Sequence, residues 1–154
     1  MRKRHDHKRR PVTPSDLLAA WLLNRKDEIM DATLTAGALV AVADRRVVAA
    51  EGDTLLSFLK RHDLLTVPDI TAQDAFMRRA CELQEPGYVL AAAYRLGRHS
   101  GLQGRMLMAA AEEVAAADSH LDPRELEILD LLRITLRQRT GARARPSRVA
   151  HPNH

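Results

Sequence analysis

Residues Ala115–Leu132 read AAADSHLDPRELEILDLL. An alanine-rich apolar run ends at Asp118, a short polar turn follows, and a second run with helical spacing starts at Pro123. The pattern is a helix, an acidic turn and another helix. An earlier stretch, Ala41–Phe58 (AVADRRVVAAEGDTLLSF), has the same layout. In both, Ala-Asp is followed three residues after the Asp by an apolar residue and seven after it by a Glu. Asp44, Val47 and Glu51 thereby match Asp118, Leu121 and Glu125, each pair 74 positions apart. The recurrence predicts an all-α globule of two helical halves related by a pseudo-twofold.

The chain has 154 residues, enough for one domain with a sizeable core. Alanine is its commonest residue, with 24 copies, and only five residues are aromatic. That mix favours closely packed helices over a sheet, which would want more β-branched and aromatic side chains. The net charge of +4 is unevenly placed. Residues 1–10 carry six Lys/Arg and one Asp, and residues 137–154 carry five Arg and no acid. The span between them is acidic, with nineteen carboxylates against thirteen bases. The expected organisation is a basic disordered tail over residues 1–13, a helical domain over 14–138, and a second basic disordered tail over 139–154. Such tails suit nucleic acid or an anionic lipid surface.

A single cysteine, Cys81, excludes an intramolecular disulfide and a cysteine-rich zinc site. No apolar run follows the basic N-terminus as a signal peptide would require, and none approaches the ~20 residues of a membrane span. A cytoplasmic protein with no transmembrane segment is expected.

Along the chain, periodicity and punctuation predict seven helices. The first opens at Pro14, capped by Thr13 or Ser15, with Leu17, Leu18, Trp21 and Leu22 at helical spacing. Asn24–Asp27 is a polar break or a polar turn of helix. The next helix, about 28–43, ends in an all-round apolar run and should be central and buried. Further helices follow at about 49–61, 69–84, 88–98, 102–117 and 123–138. Gly97, Gly101 and Gly104 mark a loop and helix boundary and lack dinucleotide-fingerprint spacing. Cys81 reads as a small core residue, and Met106 and Met108 as core filler. His62, His99 and His120 have no metal-site frame, and no nucleophile or phosphate loop is specific enough to name a reaction.

Two readings of the acidic turns stand side by side. In the second turn Asp122 fits an N-cap, Pro123 the first helical position and Glu125 the third, so a capping box accounts for Glu125. In the first turn Val48 stands where Asp122 does, yet Glu51 is still present. Asp44 and Asp118 fall at helix C-termini, where the macrodipole disfavours a negative charge by roughly 0.3–1 kcal/mol unless the side chain bonds the local turn. In the other reading Asp44, Glu51, Asp118 and Glu125 converge, and a divalent cation or a basic partner neutralises them. Oxygen-only ligands favour calcium, magnesium or manganese over zinc. The spacing is not that of an EF-hand.

The two stretches A-x-A-D-x-x-V-x-x-x-E (Ala41–Glu51) and A-A-A-D-x-x-L-D-P-R-E (Ala115–Glu125) resemble the two signature turns of the TerB-like family, the tellurite-resistance TerB proteins and their relatives. The resemblance covers about residues 32–137. It departs where the family's Gly after the Asp is Arg45 in one copy and Ser119 in the other. Arg45 and Arg46 also set two positive charges beside Asp44. The resemblance implies an all-helical domain of about seven helices and no enzymatic activity of its own. It implies a place in a bacterial stress response to tellurite and other oxyanions. It further implies action through the acidic turns, with a divalent cation or protein partners, and a cytoplasmic location peripheral to the inner membrane.

Overall fold

The computed structural model describes residues 11–43, 47, 49–99, 101–117 and 122–141. Six helices account for most of them: α1 (Pro14–Ala41), α2 (Ala49–Arg61), α3 (Asp69–Glu82), α4 (Pro86–Leu96), α5 (Leu102–Ala116) and α6 (Pro123–Gly141). No strand occurs among the described residues.

The first two expected helices are one. α1 runs unbroken for 28 residues, about 42 Å at 1.5 Å per residue. Its start follows the sequence signal: Thr13 Oγ1 accepts from the Asp16 N–H at 3.2 Å, and Thr13 N–H donates to Asp16 Oδ2 at 3.0 Å. This is a reciprocal capping box, with Pro14 at the first helical position. Asn24–Asp27 holds neither Pro nor Gly, so nothing in it stops helix propagation. Lys26 instead reaches out to Asp63, 2.9 Å away. At the other end of the chain, α6 extends to Gly141, three residues beyond the expected stop.

α1 is the hub, packing against each of the other five helices. Its second half, Ala32 to Ala41, is buried at every residue, as the all-round apolar run predicts. The packing pattern carries the repeat into three dimensions. α1 packs on α5, α1 on α2 as α5 on α6, and α2 on α5 as α6 on α1. Exchanging α1 with α5 and α2 with α6 leaves that set unchanged. Residues 74 positions apart are also buried alike: Ala36 with Ala110, Val40 with Val114, Leu55 with Leu129, and Phe58 with Leu132. α3 and α4 have no such counterparts. α3 packs on α1 and α2, α4 on α1 and α6.

Two glycines explain the α4–α5 corner. At Gly97, which caps the C-terminus of α4, an added Cβ would lie 2.7 Å from Thr135 Cγ2 and 3.2 Å from the Thr135 carbonyl oxygen on α6. Only a residue without a side chain allows that approach. Gly101, the N-cap of α5, has φ +62° and ψ −128°, a conformation essentially restricted to glycine. An added Cβ there meets nothing within 4 Å, so the cost of a side chain is purely conformational. Gly101→Ala should therefore destabilise the fold by about 1–3 kcal/mol in a urea melt, with an unchanged denaturant slope.

Two readings of side-chain position need correction. Cys81 is exposed, not a core residue, because α3 turns Ala72, Phe76 and Ala80 inward and leaves the position after Ala80 on its outer side. Leu17, Leu18, Trp21 and Leu22 do repeat at helical spacing, but they pack into nothing: all four, with Leu23, are exposed. The first half of α1 projects past the core that its second half builds.

Candidate functional site

The two repeated glutamates occupy the same place in their helices. Glu51 is the third residue of α2 and Glu125 the third residue of α6. Each helix follows the acidic turn that leaves a central helix, α1 ending at Ala41 and α5 at Ala116. Both glutamates are buried, to 3% and 2% of their full exposure, and they are the only buried carboxylates among the described residues. Glutamate is almost never this buried unless something pairs with it, and neither of these is without a partner.

Part of the reason for their position is local. The first turn of a helix presents unsatisfied N–H groups and the positive end of the macrodipole, which favours a carboxylate. In α6 the cap differs from the expected box. Asp122 Oδ1 accepts from the Arg124 N–H at 2.8 Å, while the Glu125 N–H donates to the Asp122 carbonyl at 3.0 Å. The Asp122 side chain thus holds the second helical residue instead of the third. Capping explains why an acid is tolerated in that turn. It does not explain why both copies bury one, since solvent would serve an N-terminal carboxylate equally well.

The other two residues of the expected set, Asp44 and Asp118, lie outside the described residues. Among the described residues no three His, Cys, Asp or Glu side chains come together as a ligand set. Val47, the apolar residue between Asp44 and Glu51, is half-buried and packs against the core.

The two larger clefts lie elsewhere. One of about 590 Å³ is lined by Asp31, Arg79, Glu82, Glu85, Tyr88 and Arg95, and one of about 360 Å³ by Arg105, Glu112, Arg133 and Arg137. Neither is lined by Glu51 or Glu125. In the first, Arg79 pairs with Asp31 at 2.8 Å and with Glu82 at 3.6 Å; in the second, Arg133 pairs with Glu112 at 3.8 Å and with Asp130, outside the lining, at 2.9 Å.

Arg79 sits at an inward spacing on α3, and its guanidinium crosses to α1, pairing with Asp31 and donating to Thr35 Oγ1. The signal available in the sequence was an arginine in an otherwise apolar stripe. Arg79→Met should cost about 1 kcal/mol in a thermal melt, because the pair is partly solvated while the α1–α3 hydrogen bonds are lost.

The family model for Tellurite resistance protein TerB matches residues 30–145. None of the curated proteins and none of the solved structures matches the chain. The matched span contains both acidic turns and every helix of the core, and leaves out the projecting start of α1.

Proposed function

This chain belongs to the tellurite resistance protein TerB family, and from that premise we propose that it is a non-enzymatic interaction module of a bacterial stress response to tellurite and related oxyanions. It acts through the repeated acidic site of Asp44, Glu51, Asp118 and Glu125. The observation that carries this reading is the matched burial of Glu51 and Glu125 at equivalent first-turn positions. Each glutamate already has an interaction partner in the fold; with Asp44 and Asp118 the two make a set of four carboxylates, which a divalent cation or a basic side chain of a partner protein complements.

Calcium, magnesium and manganese are the cations for an all-oxygen set. A metal-titrated thermal melt tests the reading directly, since an ion that binds only the folded chain stabilises it by mass action. At a hundredfold excess over the dissociation constant the gain is about 2.7 kcal/mol, a shift of roughly 5–10 °C for a domain of this size. Asp118→Ala should leave the melt of the metal-free protein nearly unchanged and remove the shift. A variant that binds each cation and each protein partner as tightly as the wild type overturns the site.

A second reading gives the basic tails nucleic acid or anionic lipid as their partner and places the protein at the inner membrane face. Residues 1–10 and 142–154 lie outside the described residues. Among the described residues no helix is long and apolar enough to cross a membrane, so any attachment of these helices is to a surface. The uncovered apolar start of α1 favours lipid over nucleic acid.

A further inference from the structure

The first three turns of α1 present Leu17, Leu18, Trp21 and Leu22 on one side, at i, i+1, i+4 and i+5. Each is between 49% and 63% exposed. The opposite side carries Asp16, Ala20, Leu23 and Asp27. Arg25 closes the apolar side, its guanidinium 5.6 Å from the Trp21 ring centre. Four large apolar side chains grouped on a projecting helix are not the scattered exposure normal for a soluble surface.

We propose that this face of α1 docks on an anionic lipid bilayer, lying in the headgroup region with Leu17, Leu18, Trp21 and Leu22 inserted. Charge complementarity selects the occupant. Arg2, Lys3, Arg4, Lys8, Arg9 and Arg10 immediately precede the helix, and anionic headgroups attract such a cluster. A basic cluster and an inserted apolar face are the two signals that surface attachment requires. Trp21 and Arg25 fit the boundary layer, one with an amphipathic ring and the other with a long stem beneath its charge. A second copy docked through the same face would bring like cations against these. Nucleic acid would engage the cations and leave the leucines and the tryptophan in water. The span between the two basic ends is acidic and would be held off the bilayer. The proposal deepens the lipid form of the tail reading and does not depend on the acidic site.

Trp21 is the only tryptophan, so its emission reports this face alone. The full chain is mixed with vesicles of phosphatidylglycerol and phosphatidylethanolamine, and separately with vesicles of phosphatidylcholine. The expected result is a blue shift and co-sedimentation with the anionic vesicles only, weakened by salt. In the variant carrying Leu18→Gln and Leu22→Gln, partitioning should fall roughly 100-fold. Its circular dichroism should stay that of the wild type, because neither leucine belongs to the core. Anionic vesicles that leave the emission unshifted overturn the proposal. So does binding that the leucine substitutions do not weaken, or a blue shift that grows with protein concentration without lipid and accompanies a dimer in light scattering. Binding to duplex DNA with no vesicle association also overturns it. Insertion that is indifferent to salt overturns it as well, because charge then does not select the lipid. The cation-dependent melt reads the acidic site separately from all of these.

Discussion

Phe58→Ala is expected to lower the unfolding free energy by about 3–5 kcal/mol. Phe58 is 1% exposed and sits on the inner face of α2 between Leu55 and Leu59, which are equally buried. Its ring lies 4.3 Å from that of His62, and the Arg61 guanidinium stands 5.8 Å from it while pairing with Glu113 of α5. α2 packs on α1, α3 and α5, so the truncated side chain leaves a cavity that three helices must close around. Well-packed helices collapse only partly into such a space, and the cavity adds to the lost transfer free energy. A domain of this size has about 5–15 kcal/mol in total, so the variant loses a large part of its margin. Leu132, 74 positions further on and 0% exposed, should behave in kind, with Leu132→Ala costing about 2–5 kcal/mol. Tyr94→Ala is the control. At 82% exposure it should stay within about 0.5 kcal/mol of the wild type. Urea denaturation followed by circular dichroism measures all three. A Phe58→Ala loss below about 1 kcal/mol would mean that α2 is not seated as described.

Much of this architecture is legible before any coordinates. The repeated Ala-Asp and the Glu seven residues later identify two related helix pairs, and the two glutamates do return to the same place, the third residue of α2 and of α6. The buried second half of α1 is legible for a simple reason: an apolar run without a polar face has no side to give to water. What could not be read is whether a face has a neighbour. Leu17, Leu18, Trp21 and Leu22 have the same periodicity as Leu55, Phe58 and Leu59, yet the first set is exposed and the second buried. Periodicity fixes which residues share a side; tertiary packing decides what covers it. The same limit hid the exposure of Cys81. The division of α1 into two helices failed for another reason. A polar turn looks like a break, but without Gly or Pro it costs a long helix almost nothing.

Glu51→Lys and Glu125→Lys should each cost about 3–5 kcal/mol, the loss expected when a buried charge keeps its place and loses its compensation. Both glutamates are nearly inaccessible, and both stand in the first turn of a helix. A lysine there puts a cation against the positive end of the macrodipole, which adds up to about 2 kcal/mol in a buried setting. Glu51→Gln and Glu125→Gln keep the shape and remove the charge. These should stay within about 1–2 kcal/mol of the wild type while losing the cation-dependent shift of the melt. Comparing the two copies is what gives the pair its force. Asp122 and Pro123 make the start of α6 a strong helix N-terminus, whereas Val48 stands at the place in the first copy that corresponds to Asp122. If capping were the whole role of the glutamate, Glu125→Gln and Glu51→Gln would differ as the two caps differ, and neither would touch the cation response. If the glutamates serve one acidic site, the copies respond alike in both measurements. The motif that then carries function is an Asp and a buried Glu seven residues on, in two copies, and the Asp-Pro cap is a local support of one of them.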